Sequence, residues 1–321
     1  MRNTLVCLVV LFLVGAPADG QGPAVEPVEL ILYPAKAPAP SENYRLLPSA
    51  DEQTDADAVT LYQKALRPFP SDLQMDQING WLKIPIEQLP REQVQATLDK
   101  LKPTLALLEQ AARCRQCDWP YVDDDTLSLD LPQYRTLVLF LDLQVRLQVA
   151  QGQHSEAIRT IQTGLAMAKH LGKGPTLLQG MLGVAVGAHM CRQLEQFIQS
   201  PNAPNLYKAL RNLPRPFIDL TSQAKWEEPD IREKGLLLMD RLDRHVAALQ
   251  CIEALRLYAG THEGKFPDKL SDVTEIPTPD DPVTEKPFTY RRTGSQASLE
   301  APAPQGAEAK AAMRYLLILK G

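Results

Sequence analysis

The sequence predicts a mainly α-helical protein that ends in a small module of helix and strand. Apolar residues recur at helical spacing through most of the chain, and proline and glycine fall at the ends of these stretches. With 321 residues, 44% of them hydrophobic, the chain can form a large core. Its formal net charge of −5 argues against a nucleic-acid partner, because such a partner requires a basic face.

The clearest helical pattern runs from Tyr134 to Gln199 and predicts three consecutive helices. In the first, apolar residues repeat every four positions from Leu137 to Val149, and Gly152 then ends the helix. Ser155 is a suitable N-cap for the second helix, which ends near Gly172. The first two helices resemble a single tetratricopeptide-type hairpin. Since no second copy follows at the period of about 34 residues, we expect one hairpin within a larger α domain.

The third helix carries Gly180, Gly183 and Gly187 within an apolar run. Because each glycine weakens a helix by up to about 1 kcal/mol, we expect a neighbouring helix to approach its backbone closely. Gln179 and His189 interrupt the run, which is also shorter than the roughly 20 residues that a bilayer requires. A buried helix of a globular domain is therefore the favoured interpretation, with a membrane helix as the alternative.

Two polar features of these helices carry expectations of their own. Asp142 and Arg146 lie four residues apart on the polar side of the first helix, where such a pair contributes a few tenths of a kcal/mol. His189 falls on an apolar face of the third helix, so we expect a satisfied core histidine rather than a ligand.

The N-terminus has the three parts of a secretory signal. Arg2 supplies the positive charge, Thr4 to Gly15 supplies the apolar centre, and cleavage is predicted near Ala18 to Gly20. We therefore expect export to the periplasm or beyond, with no membrane span once the leader is removed. An uncleaved anchor is the alternative.

Behind the leader at residues 1–20, the chain divides into three predicted parts. Residues 21–53 are rich in proline and predict a linker with short extended segments. Residues 54–226 form the predicted α-helical domain. Residues 227–321 combine a long helix, from Pro229 to about His262, with a small antiparallel β module.

The β module is predicted from its turn and strand patterns. Gly294 marks the turn of a hairpin between Phe288–Arg291 and Ala297–Glu300, and Met313–Leu319 is the last strand. Far upstream, residues 28–33 carry β-favouring side chains and form one of the extended segments of the linker.

Several segments of the sequence resemble an uncharacterised family of exported, helix-rich bacterial proteins. They lie at residues 28–48, 111–120, 158–180 and 200–220, and the resemblance covers most of the chain up to about Trp226. It implies an exported helical architecture and carries over no activity.

The stretch from about Leu249 to Glu300 is similar to the globular end of type II secretion pseudopilins. The likeness lies in a long helix followed by G-x-F-P at Gly264, D-P at Asp281 and P-F-x-Y at Pro287. This chain lacks a prepilin processing motif, and Val283 stands where that family usually has glycine. The resemblance implies reuse of the shape without polymerisation.

Four cysteines follow the leader: Cys114, Cys117, Cys191 and Cys251. In an exported protein an even number permits two disulfides, with three possible connectivities. The C-x-x-C motif at Cys114 and Cys117 also admits a redox pair, or half a zinc site completed by His189 with Cys191 or by His245 with Cys251. Its predicted place at the C-terminal end of a helix favours protonated thiols. We therefore favour a structural disulfide or buried thiols.

By analogy with the pseudopilin loop, Asp280, Asp281 and Glu285 are candidate calcium ligands. Asp281 precedes a proline, and this pattern is also typical of a residue that caps a turn.

The sequence contains no G-x-S-x-G, no phosphate-binding glycine loop and no H-E-x-x-H. We therefore predict no catalytic residues and no cofactor. The expected function is non-enzymatic binding or scaffolding in the cell envelope, with another envelope protein held by helical surfaces or by the edge of the sheet. The alternative is a thiol or metal protein that uses Cys114 and Cys117.

Overall fold

A computed structural model describes residues 26–39, 42–66, 69–120, 124–225, 227–304 and 308–320. The predicted leader at residues 1–20 lies outside them. Within the described residues the predicted fold class is confirmed, because long helices dominate and a small sheet lies near the C-terminus. None of the described helices combines the length and apolar character that crossing a membrane requires.

The first of the three helices predicted from Tyr134 to Gln199 begins ten residues earlier, at Asp124, whereas the second, the third and the long helix from Pro229 lie close to their predicted positions. The described helices follow in chain order. They are α1 (Ala58–Ala65), α2 (Met75–Trp81), α3 (Arg91–Ala112), α4 (Asp124–Ala150), α5 (His154–Gly172), α6 (Leu177–Ile198), α7 (Tyr207–Arg211), α8 (Thr221–Ala224) and α9 (Pro229–Thr261).

The strands are β1 (Val28–Leu32), β2 (Thr54–Asp57), β3 (Cys114–Gln116), β4 (Asp280–Asp281), β5 (Lys286–Pro287), β6 (Thr289–Thr293), β7 (Gln296–Ala301) and β8 (Met313–Leu319). Four of them form a sheet in the order β1-β8-β7-β6, while β2 with β3 and β4 with β5 form separate pairs. Strands β6, β7 and β8 are antiparallel, whereas β1 runs parallel to β8 with Val28 opposite Tyr315. The sheet is therefore mixed, and an extended segment expected in the linker is one of its strands.

The chain forms two compact units, each built from separate stretches. The first comprises Arg45–Gln193 and Pro214–Met239, and the second comprises residues 26–44, Leu194–Leu213 and residues 240–320. In the second unit one face of the four-stranded sheet is buried. Its buried apolar side chains are Leu30 and Leu32 of β1, Ala297, Leu299 and Ala301 of β7, and Tyr315, Leu317 and Leu319 of β8.

Helices α4, α5 and α6 form the buried centre of the first unit. Gly152, with a φ of 71°, makes the turn between α4 and α5, and Thr160 donates to Gln148 across this hairpin at 2.9 Å. One turn further along α5, Gly164 faces the side chain of Met190 on α6. Since α5 runs antiparallel to both neighbours, α4 and α6 run in the same direction.

Gly183 brings the backbone of α6 close to that of α5. A Cβ atom at this position would lie 2.6 Å from the nitrogen of Gly172 and 2.7 Å from the carbonyl oxygen of Ala168. The close helix approach predicted from the glycine pattern is confirmed at this residue.

We expect Gly183→Ala to lower the free energy of unfolding by about 1–3 kcal/mol, because backbone atoms cannot move aside as a flexible side chain can. Gly80→Ala is the matched control. Gly80 also lies in a helix, but a Cβ there would meet nothing within 4 Å. This control should stabilise by up to about 1 kcal/mol. Urea unfolding measures both variants, and equal effects would argue against the close approach.

Candidate functional site

The C-x-x-C motif directly follows α3, as the sequence predicts. Cys114 begins β3, where it lies opposite Thr54 in the parallel pair with β2. Both thiols of the motif are free and buried, and the side chains of Cys191 and Cys251 are buried as well.

Each thiol of the motif is directed at a backbone carbonyl. The sulfur of Cys114 lies 3.4 Å from the oxygen of Gln110, and that of Cys117 lies 3.8 Å from the oxygen of His170. Burial raises the pKa of both thiols, that of Cys117 to about 12, and the carboxylate of Asp57 adds to the effect. Because the thiolate is the nucleophile and the metal ligand, these surroundings favour a packing role for the pair.

His170 is the centre of a buried cluster that contains Tyr62, Cys114, Cys117 and Trp119. Its Nδ1 atom lies 2.9 Å from the hydroxyl of Tyr62, and the backbone of Cys114 is near enough to influence the pKa of the ring. Its own carbonyl accepts from the indole of Trp119 at 2.7 Å. Burial lowers the pKa of His170 to about 4, so the ring is neutral at neutral pH. This His170 cluster ties α1, the C-x-x-C turn and the end of α5 together.

The histidines proposed to complete a zinc site have other partners. His189 lies 2.9 Å from a carboxylate oxygen of Asp142, and His245 lies 2.8 Å from one of Glu195. Across the part of the chain that the structure describes, no three histidine, cysteine or acidic side chains are grouped as metal ligands.

In the predicted calcium loop, Asp281 binds the guanidinium of an arginine from the same chain. Asp281 lies in β4 and is 1% exposed, and it forms a bidentate ion pair with Arg244 of α9. The Nε of Arg244 donates to Oδ1 at 3.0 Å and a terminal nitrogen donates to Oδ2 at 3.1 Å. Oδ1 also accepts from the backbone of Val283 at 3.2 Å, and Oδ2 from the hydroxyl of Thr284 at 2.8 Å. Each carboxylate oxygen therefore accepts two hydrogen bonds from the protein.

The other two candidate calcium ligands do not join this arrangement. The side chains of Asp280 and Glu285 are exposed, and Glu285 adopts a left-handed backbone with a φ of 53°. The structure thus places a guanidinium, rather than a set of three convergent acids, beside Asp281.

A polar cluster between α4 and α6 contains Asp142, Arg146, His189 and Gln193. Asp142 and Arg146 are four residues apart on α4, and His189 and Gln193 are four apart on α6, so each pair lies on one face of its helix. Asp142 bonds His189. Because α4 and α6 run in the same direction, Arg146 and Gln193 lie one helical turn beyond that bond. Asp142 and Arg146 are only 3% and 5% exposed, so the expected polar surface pair is wrong. Spacing alone cannot separate an exposed pair from a buried one.

Several buried polar atoms of this cluster have no hydrogen-bond partner among the described residues. Arg146 donates to the carbonyl of Ile84. However, Oδ1 of Asp142, Nε of Arg146 and Oε1 of Gln193 have no hydrogen-bond partner among the residues described. Buried polar atoms normally have one. The arrangement specifies neither a substrate nor a reaction.

The four-stranded sheet ends at β6, which has no strand on its outer side within the described ranges. A two-residue turn at Gly294, with a φ of 63°, makes Thr293 and Gln296 a directly bonded pair. Because bonded and non-bonded pairs alternate along an antiparallel ladder, Tyr290 and Arg292 direct their backbone N–H and C=O groups away from β7.

The opposite edge of the sheet is partly closed. On β1, the backbone N–H of Ile31 donates to the side-chain oxygen of Gln199 at 3.0 Å. Strand β6 therefore offers the more accessible row of backbone groups. No motif signals this property, since it depends on which strand ends the sheet.

Comparisons of the chain with protein-family models, curated proteins and solved structures find no match.

We expect calcium in the millimolar range to leave the thermal midpoint unchanged, because Arg244 already neutralises Asp281.

Arg244→Met should lower the free energy of unfolding by about 3–5 kcal/mol, since it leaves a buried carboxylate unpaired. Arg115→Met is the control, because it breaks an exposed ion pair with Asp55 that is worth roughly 0–1 kcal/mol. Thermal melts with calcium or a chelator test both points, and stabilisation of the natural chain by calcium would contradict the first.

His170 should make stability depend on pH. Its pKa is about 4 in the folded chain against an ordinary value of 6.5, so the unfolded chain takes up a proton first as pH falls. Stability is therefore lost between these two values, by about 3 kcal/mol for this residue. His170→Gln should lack this contribution. Urea unfolding measures the free energy of unfolding of both chains. The natural chain should lose more of it than the variant between about pH 7 and pH 4, so that the difference between the two becomes smaller. A difference that does not change with pH would refute the lowered pKa of His170.

Proposed function

We propose that this chain is an exported protein of the cell envelope that acts by binding another protein, not by catalysis. The unpaired outer side of β6 carries the proposal. Its outward backbone groups can pair with an extended segment of a partner, and this mode of recognition takes its affinity from main-chain hydrogen bonds.

Of the two binding surfaces that the sequence suggests, the helical hairpin and the edge of the sheet, we favour the edge. Helix α5 is buried along most of its length, which leaves little of it for a partner. At the sheet, in contrast, Thr289, Arg291 and Thr293 are exposed along one strand.

The groups that suggested chemistry support a binding role, because each is engaged in holding the fold. Cys117 is directed at the carbonyl of His170, and the carboxylate of Asp281 accepts four hydrogen bonds from its own chain. Neither the thiol nor the carboxylate is presented to a substrate.

The envelope location rests on the sequence. The positively charged and apolar parts of residues 1–20, followed by small residues, are typical of a secretory signal. The resemblances to exported helix-rich proteins and to the globular end of pseudopilins favour the same compartment. Cell fractionation of a tagged chain tests this, and recovery of the full-length chain in the cytosol would contradict export.

Site-specific photo-crosslinking in intact cells tests the binding surface. A photoreactive residue replacing Thr289 should form an adduct with a partner, while the same residue replacing Lys102, which is exposed on α3, should form none. In the Thr289 background, Arg292→Pro should abolish the adduct because it removes an outward N–H. Arg292→Ala is the matched control, because it removes the same side chain and keeps that N–H.

Adducts of equal yield at both positions, or an adduct that survives Arg292→Pro, would refute strand addition at β6. The thermal midpoints of the proline and alanine variants establish whether their folds are comparable. If the proline variant unfolds, amide hydrogen exchange of the natural chain gives a second test, because the partner should protect the N–H groups of Tyr290 and Arg292.

A further inference from the structure

We infer that the segment that adds to β6 is an acidic, extended stretch of a different protein, rather than a second copy of this chain. This inference rests on the proposed function and specifies the partner. It follows from the charges along β6 and from the geometry of the pairs that a new strand would form.

The edge of the sheet is basic on a chain that is acidic overall. Residues 286–293 contain Lys286, Arg291 and Arg292 and no aspartate or glutamate, whereas the whole chain has a formal net charge of −5. Of these cations, Arg292 is already paired with Asp268 at 2.7 Å. Arg291 is exposed and forms no ion pair among the described residues.

The outer face of the sheet does not neutralise Arg291. It lies opposite Ser298 of β7, which carries no charge. Glu300, on the same face, is paired with Arg314 of β8 at 3.3 Å. Arg291 is therefore available to an incoming acidic side chain.

Strand geometry places that side chain well. Since Arg291 is in a directly bonded pair with β7, it would be in a non-bonded pair with the added strand, where opposing side chains come closest. Acidic residues at alternate positions of the partner would lie on the face of Arg291. The intervening positions would lie on the face of Tyr290 and Arg292.

The same geometry disfavours a second copy that pairs about Arg291. A two-fold antiparallel pairing of β6 with itself, centred on Arg291, would put two arginines directly opposite each other. Like charges in this position destabilise a strand pair. Charge on an edge strand is also a common protection against self-association, so the arginine that would attract an acidic partner would also oppose self-pairing.

Binding of model peptides tests the inference. The probes are two capped peptides of about eight residues, one alternating valine with glutamate and the other alternating valine with lysine. They are added to the chain without its leader at low salt, and fluorescence anisotropy measures affinity. The acidic peptide should bind roughly tenfold more tightly, and salt should reduce the difference.

Two variants locate the charge effect. Arg291→Glu should reverse the preference between the peptides, and Arg291→Lys should preserve it. The backbone amide signals of Tyr290 and Arg292 should shift on binding in the natural chain. A preference for the acidic peptide that survives Arg291→Glu would overturn the inference.

The remaining outcomes separate the inference from the proposed function. Equal binding of both peptides with shifts at Tyr290 and Arg292 would leave strand addition standing and overturn the acidic partner. Failure of both peptides together with failure of the crosslinking at Thr289 would overturn the proposed function itself. A dimer in solution that Arg292→Pro dissociates and Arg292→Ala does not would show that a second copy fills the edge, again against the inference.

Discussion

Buried guanidinium groups need an acceptor for their donors, and α9 buries two of them. Arg256, 0% exposed, donates to both carboxylate oxygens of Glu253 at 3.0 Å. It also donates to the backbone carbonyls of Tyr33 at 3.0 Å and Ala203 at 2.9 Å. Segments far apart in the sequence are thereby fixed to one helix. Removing one partner of such a buried pair costs several kcal/mol, so these arginines dictate where the rest of the second unit lies.

Arg244 extends this control to the sheet. Besides Asp281, it bonds the carbonyls of Pro302 at 2.6 Å, just after β7, and Ala311 at 2.7 Å, just before β8. A single side chain therefore positions the end of one strand and the start of the next. In the proposed mode of binding, β6 loses little conformational freedom when a partner pairs with it, because its own pairing with β7 already holds it in place.

The helices could be predicted because the pattern of neighbouring residues determines them. Contacts between residues far apart in the sequence could not be predicted in this way. The helices follow from the periodicity of apolar residues, and the tight approach at Gly183 follows from its glycine. The pairing of Val28 with Tyr315 joins opposite ends of the chain, and nothing near either residue encodes it. Likewise, Arg244 and Asp281 each look like ordinary polar residues until the fold buries them together.

The residue types that drew attention to chemistry are used inside this protein as ligands for its own backbone and charges. Cys117 faces a carbonyl, and Asp281, a calcium candidate from the sequence, faces a guanidinium. The proposed capacity to bind lies instead in the backbone of β6, where the chemistry is that of any peptide group. What distinguishes this strand is its place at the end of the sheet and the charge of Arg291. Such a surface arises from topology, so a search for motifs passes over it.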